Sequence, residues 1–289
     1  MASQLRKEGC VVVQSSTNQF LKTLTGVREG GKALSLEIRN SCNKFKHIEK
    51  ISIVGNSLGG LYARYAIKEL FNGNGTICGL EPNCFLTIAT PHLGIRDFTY
   101  IRIPQNMKKA LALTMMNTGK DLMLNDAPGR VVENSLLYGM ATDSSFLLPL
   151  RAFKRRRLYA NVDKDFAVPL ATAAFLFPEV TEAARKRFAN EYGIVAEWTK
   201  SDTEALHESH EHVARTPTGS AIASMIRGLD SCDWEKVLVH FDTLLPTAHN
   251  KISALQRGPQ WMSTMLGFSE GEYVMDHMVR CILSDDAKR

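Results

Sequence analysis

The chain has 289 residues, of which 44% are hydrophobic and 22% charged, values that exclude a largely disordered chain and fit a soluble globular fold. No Gly-X-Y period and no heptad array runs through it. Thirty-five basic against 30 acidic residues leave a net charge of +5, too mild to demand a polyanionic partner. The longest nearly apolar stretch, 167–177, is too short to cross a bilayer and contains Pro169. The first residues, Met-Ala-Ser-Gln-Leu-Arg-Lys-Glu-Gly, lack the apolar core of a secretory signal. Six cysteines lie scattered without CxxC or metal-site spacing, the usage of a cytoplasmic compartment with reduced thiols.

Read in chain order, the β-branched run at 10–14 (Cys-Val-Val-Val-Gln) predicts a first strand. After Gly30 and Gly31 comes a helical pattern with Leu34, Ile38, Cys42 and Phe45 on one face. Ile-Ser-Ile-Val at 51–54 predicts a second strand running straight into Gly55, and 61–70 reads as a helix ended by Asn-Gly-Asn-Gly at 72–75. Residues 84–89 predict a third strand. Residues 105–156 read as mostly helical and rich in Met and Leu, and the basic run 151–157 as a solvated helix end. Further strands are predicted at 157–161 and 236–241, separated by a polar helical insertion or lid at 178–228. The Ser-Glu-Gly-Glu pattern at 269–272 predicts a capped final helix carrying Val274, Met278 and Ile282 on one face. Strands alternating with helix-length segments predict one α/β domain over 1–289, with a mostly parallel sheet, helices on both faces and helical insertions.

The motif carrying most chemistry is Gly55-Asn56-Ser57-Leu58-Gly59-Gly60, which matches the G-x-S-x-G nucleophile elbow between a strand and a helix. Such a turn is tight, so a Cβ two residues before or after the serine is expected to strike the neighbouring strand or helix. The serine hydroxyl then stands at the N-terminus of the following helix, where free N–H groups, that of Leu58 first, favour a developing oxyanion.

Around this motif the chain resembles the eukaryotic putative serine esterase (lipase-like) family of the α/β-hydrolase superfamily. Four ordered stretches carry the resemblance: 51–66 around the elbow, 85–94 (Phe-Leu-Thr-Ile-Ala-Thr-Pro-His-Leu-Gly), 157–169 with Asp163 and Asp165, and 248–252 (Ala-His-Asn-Lys-Ile). The resemblance implies a hydrolase of lipid or other acyl esters with Ser57 as nucleophile, Asp165 as acid and His249 as base. It needs no cofactor or metal, and a protein of this kind is expected in the cytoplasm, peripheral to membranes, with no nucleic-acid partner. Asp163 is the reserve acid, while His240, within a strand, and His277, within the final helix, are expected to be structural. His92 ends a strand facing the same mouth and is assigned to substrate binding, with a structural role in its turn as the competing reading. The triplet His207, His210 and His212 has helical spacing but reads as a solvated face rather than a metal site, and 107–123 is a second lid candidate. The family's first strand, ending in a His-Gly turn that supplies a second oxyanion amide, has no counterpart before Cys10. The missing strand leaves a non-catalytic or truncated binding protein with this fold as the alternative, and acyl transfer to an acceptor other than water uses the same residues as hydrolysis.

Overall fold

The computed structural model describes residues 1–18, 23–98, 116–208, 217–254 and 266–284. Its centre is a five-stranded sheet made of β1 (Lys50–Asn56), β2 (Glu81–Ile88), β3 (Arg155–Asn161), β4 (Gly193–Trp198) and β5 (Trp234–His240), in the order β1-β2-β3-β5-β4. β1, β2, β3 and β5 run parallel and β4 is antiparallel to β5 at the border. Parallel neighbours need long crossovers, and the helical segments supply them on both faces, giving the α/β-hydrolase type of architecture.

One face is covered by α1 (Val27–Lys44), α2 (Leu58–Leu70), α3 (Leu136–Thr142), α4 (Ser144–Ala152) and α5 (Pro217–Asp230), which share a core with Phe85, Leu158, Trp234 and Leu238 of the sheet. The other face carries the last helix, α6 (Glu272–Leu283), whose Val274 and Met278 meet Leu86, Tyr159, Val237 and Val239. The alternation of Trp234, Lys236 and Leu238 against Val237 and Val239 follows from the two-residue repeat of a strand. Gly30 and Gly31 fall inside α1 rather than before it, and their missing side chains let Tyr62 and Tyr65 of α2 pack against the helix backbone.

Three sequence expectations are corrected. Residues 10–14 form no strand; Val11 and Val13 are half exposed, and the following segment is tied to α1 by Ser15 and Ser16 on Glu37. A β-branched run without a ladder partner has no reason to become a strand, and β1 has no second strand beside it among the described residues. Residues 178–228 are not purely a polar helical insertion: they supply β4, and α5 buries Ala221, Met225, Ile226 and Leu229 in the main core. The basic run is a solvated helix end only at exposed Arg151, in the last turn of α4; Arg155, Arg156 and Arg157 open β3, where buried Arg156 donates to the carbonyls of Leu150, Arg151 and Phe153, and Arg157 donates to Glu235 at 2.6 Å.

β1 reaches α2 through a turn that bends at Ser57, a non-glycine residue held at φ 52°, ψ −128°. Such backbone costs about 1–3 kcal/mol and persists only where the surroundings fix it. Here the Ser57 amide donates to the Ile88 carbonyl (2.7 Å), and the Ser57 carbonyl accepts from the Gly60 amide (3.0 Å) and the Thr90 hydroxyl (2.9 Å). A Cβ on Gly55 would lie 2.5 Å from Gly60 Cα, and one on Gly60 would overlap the Thr90 side chain. Gly59 differs from the sequence expectation, because open space surrounds its Cβ position. The tight approach is between residues two before and three after the serine.

Gly55→Ala and Gly60→Ala should each lower unfolding free energy by about 3 kcal/mol through backbone or Thr90 displacement. Gly59→Ala should be neutral or stabilise by about 0.5–1 kcal/mol through helix propensity. Urea denaturation of the three variants measures this ranking.

Candidate active site

The C-terminal ends of β1, β3 and β5 bring three polar side chains together. Ser57 stands at the N-terminus of α2, so its hydroxyl shares that end with the amides left without helical acceptors. Asp165 follows β3 in a loop that its own carboxylate organises: Oδ1 accepts from the amides of Ala167 (3.1 Å) and Val168 (2.8 Å). Oδ2 accepts from the Asn161 carboxamide (2.7 Å) and from His249 Nδ1 (3.0 Å). The carboxylate is buried, and its four donors leave it one orientation. His249 sits on the short helix Ala248–Lys251 after β5, with Nε2 3.1 Å from Ser57 Oγ. The tautomer that satisfies both contacts carries its proton on Nδ1 and accepts the serine hydroxyl at Nε2.

The loops bearing Asp165 and His249 are joined directly. Asp165 and Thr247 form an antiparallel bridge, and the Ala248 amide donates to the Lys164 carbonyl at 3.3 Å. Beneath the histidine, buried Lys251 pairs with Glu270 (2.8 Å), while Ala248 and Ile252 pack into the core under α6. Asn161 and Thr90 were not singled out from sequence. Asn161 could have been found as the polar last residue of a buried strand, four positions before Asp165.

The other sequence candidates lie elsewhere. Asp163 is half exposed, 3.9 Å from the Lys164 ammonium, and Asp165 rather than Asp163 bonds to His249. His240 donates through Nδ1 to the carbonyls of Phe188 (2.9 Å) and Glu191 (2.8 Å). His277 meets the Tyr159 hydroxyl (3.1 Å) and Glu197 (3.4 Å), tying α6 to the sheet. His210, His212 and the side chain of His207 lie outside the described residues, as do 107–115 of the second lid candidate; 116–122 of that segment are helical. Among the described residues no group of His, Cys, Asp and Glu could hold a metal ion, and no helix is long and apolar enough to cross a membrane.

His92 is a correction. It does not line an open pocket; it is fully buried, edge-on to Phe175 and Trp234, with Nδ1 3.3 Å from Arg64 Nη1 and Nε2 3.0 Å from Thr87 Oγ1. Arg64, also buried, donates to the carbonyls of His92 (3.4 Å) and Met140 (2.6 Å). The neighbouring Lys236 ammonium is buried against Asp230 (2.7 Å) and over the Phe175 ring. This polar layer pins the Thr90-Pro91-His92 turn, and the turn supports Ser57 through Thr90. Burial pushes the His92 imidazole well below its ordinary pKa of 6.5, with Arg64 and then Lys236 adding to the effect.

Residues 1–176 match the family model described as putative serine esterase (DUF676). Ser57 and Asp165 fall inside that match and His249 beyond it. Similar curated proteins include the putative lipase YDL109C of Saccharomyces cerevisiae, 35% identical over 141 residues, which are 48% of this chain and 21% of the relative. A putative lipase of Schizosaccharomyces pombe, C4A8.10, is 32% identical over 172 residues, 57% of this chain and 21% of its own. The putative lipase ROG1 of Saccharomyces cerevisiae is 35% identical over 170 residues, 58% and 24% respectively. The chain thus spans about a fifth to a quarter of the length of the relatives it matches. No solved structure matches at the same threshold of significance.

His92 stays neutral in the fold while an unfolded histidine gains a proton near pH 6.5, so its contribution favours the native state above that pH and is lost as pH falls below it. Unfolding free energy should decline by up to about 1.4 kcal/mol per pH unit from this group between pH 6.5 and 5. His92→Gln should flatten that slope; an unchanged slope in urea titrations at pH 7.5, 6.5 and 5.5 would assign it elsewhere.

Proposed function

The chain belongs to the putative serine esterase family, and from that premise we propose that it hydrolyses carboxylic esters, lipid esters foremost, through an acyl-enzyme on Ser57. The observation that carries this reading is the unbroken hydrogen-bonded series Ser57 Oγ, His249 Nε2, His249 Nδ1, Asp165 Oδ2. The names of the relatives, each a putative lipase, support the lipid class of substrate.

In this mechanism His249 Nε2 takes the Ser57 proton as Oγ bonds to the ester carbonyl carbon. The carbonyl electron pair moves onto oxygen, where the Leu58 amide and the amino end of α2 stabilise the charge. Asp165 holds the imidazolium by accepting from Nδ1 and never takes its proton. Collapse expels the alcohol, which receives the proton from Nε2. Water then repeats the sequence against the acyl-serine, with His249 again as base, and releases the acid. Asn161 and the Ala167 and Val168 amides keep the Asp165 carboxylate facing the ring.

A fluorophosphonate probe should modify Ser57, and Ser57→Ala should abolish the labelling. His249→Ala should reduce ester turnover by on the order of 10⁴-fold or more, and Asp165→Asn by about 10³–10⁴-fold. Asn161→Ala should cost about tenfold, as expected of a lost bond to a charged group. Labelling that survives Ser57→Ala, or turnover indifferent to His249, would overturn the assignment.

A further inference from the structure

We propose that Cys84 and Cys281 are a peroxide-oxidisable pair that closes to a disulfide and staples α6 to the central sheet. The inference goes beyond the hydrolase reading and does not depend on it. The two residues are 197 positions apart, yet β2 and the last turn of α6 bring them together. Cys84 Sγ donates to the Cys281 carbonyl at 3.5 Å, and the two thiol groups share a hydrogen bond of their own. Contacts on either side clamp the same turn. Asn83 Nδ2 donates to the Ile282 carbonyl (3.1 Å), and the Arg155 guanidinium donates to the carbonyl and hydroxyl of Ser284. From hydrogen-bond contact to the roughly 2.05 Å of a disulfide is a short approach.

The electrostatics of this face prepare one of the two sulfurs. In the parallel register Cys84 lies beside Arg155 and Leu86 beside Arg157, and the two-residue repeat turns both guanidiniums toward α6, where they meet Ser284 and His277. The Cys84 thiol donating to the Cys281 sulfur, helped by Arg157 and Arg155, holds Cys281 below the ordinary thiol range against burial and the Glu235 carboxylate, while Cys84 itself is pushed up. The thiolate is the form that attacks peroxide. Cys281 sulfur bonds to one peroxide oxygen, the O–O bond breaks, and the departing hydroxide takes a proton from solvent to leave as water. Cys84 sulfur then bonds to the sulfenic sulfur, and its proton leaves with the displaced hydroxyl as a second water. The pair has given two electrons to one peroxide. Both sulfurs are buried, and access comes through the end of α6, because Cys281 stands two residues before its last residue, Leu283, and helix ends open at little cost.

Cys42 and Cys78 offer a comparison within the chain. They too share a hydrogen bond and are more exposed, but desolvation raises both thiols, Cys42 to about 11. Exposure alone would oxidise them first; thiolate chemistry puts Cys84 and Cys281 first.

The test treats the reduced full chain at neutral pH with graded hydrogen peroxide, alkylates the remaining thiols after denaturation and maps the peptides by mass spectrometry. The unsubstituted chain should yield a cross-linked Cys84–Cys281 peptide before any bond between Cys42 and Cys78, and dithiothreitol should release it. Oxidation should raise the thermal midpoint by about 5–10 °C, and Cys281→Ser should abolish both the peptide and the shift. In Cys84→Ser the Cys281 sulfenic acid lacks its thiol partner and should be captured by dimedone. Cys84 and Cys281 remaining open to alkylation while Cys42 and Cys78 pair, a bond from either to another cysteine, or a midpoint that does not rise would each overturn the proposal. The peptide map of the unsubstituted chain decides even if a variant fails to fold. Because it needs no ester turnover, a missing fluorophosphonate label would sink the hydrolase reading without touching this result.

Discussion

The structure depends on how closely β1 and α2 approach each other. Two glycines, Gly55 and Gly60, meet backbone to backbone, and Ser57 between them is forced into a conformation that few side-chain-bearing residues adopt. The strain is held in place by three hydrogen bonds, one from its amide and two to its carbonyl, and all of the external ones come from the end of β2. The β2 end is in turn fixed by the buried layer of Arg64, His92 and Lys236. A layer of charged and polar groups inside the core is an expensive way to fix a turn, since each must find partners where water is absent. It gives directionality that apolar packing lacks: the Arg64 fork reads two carbonyls and one ring nitrogen at once.

The parallel sheet does the rest. Strands running in one direction end on one side, so loops that are distant in sequence emerge together there. Ser57 and His249 are 192 positions apart and yet share a hydrogen bond. The order β1-β2-β3-β5 sets Ser57 and His249 after different strands with the Asp165 loop between them, while the border strand β4 contributes no side chain to the site.

The legible parts of the sequence were those in which local chemistry leaves one solution. A Gly-x-Ser-x-Gly turn following Ile-Ser-Ile-Val can only be a sharp strand-to-helix junction, and four of the five strands announce themselves as apolar or β-branched runs. β4 is harder to read, because its short Ile194-Val195-Ala196 run is set in a stretch that otherwise reads as polar and helical, and as a border strand it is only half buried. The run at 10–14 misleads for the opposite reason: propensity without a pairing partner builds no ladder. His92 shows a further limit. Sequence places it at the correct end of the sheet, but whether an imidazole turns to the mouth or to the core is decided by Arg64, Phe175 and Trp234, none of them adjacent in the chain. The roles of Gly59 and Gly60 are exchanged relative to the motif for a similar reason, since the Thr90 side chain that occupies the space at Gly60 arrives from β2.

The bridge between Asp165 and Thr247 ties two loops of the site to one another. Asp165 and His249, with their loops zipped together and anchored through Lys251 to Glu270, form one unit, while Ser57 rests on a second, made of β1, α2 and the end of β2. The His249–Asp165 bond closes within the first unit, and the 3.1 Å contact between Nε2 and Oγ joins it to the second. In the proposed mechanism the same contact carries the serine proton, so one distance governs both how the two units meet and how the hydroxyl becomes an attacking oxygen.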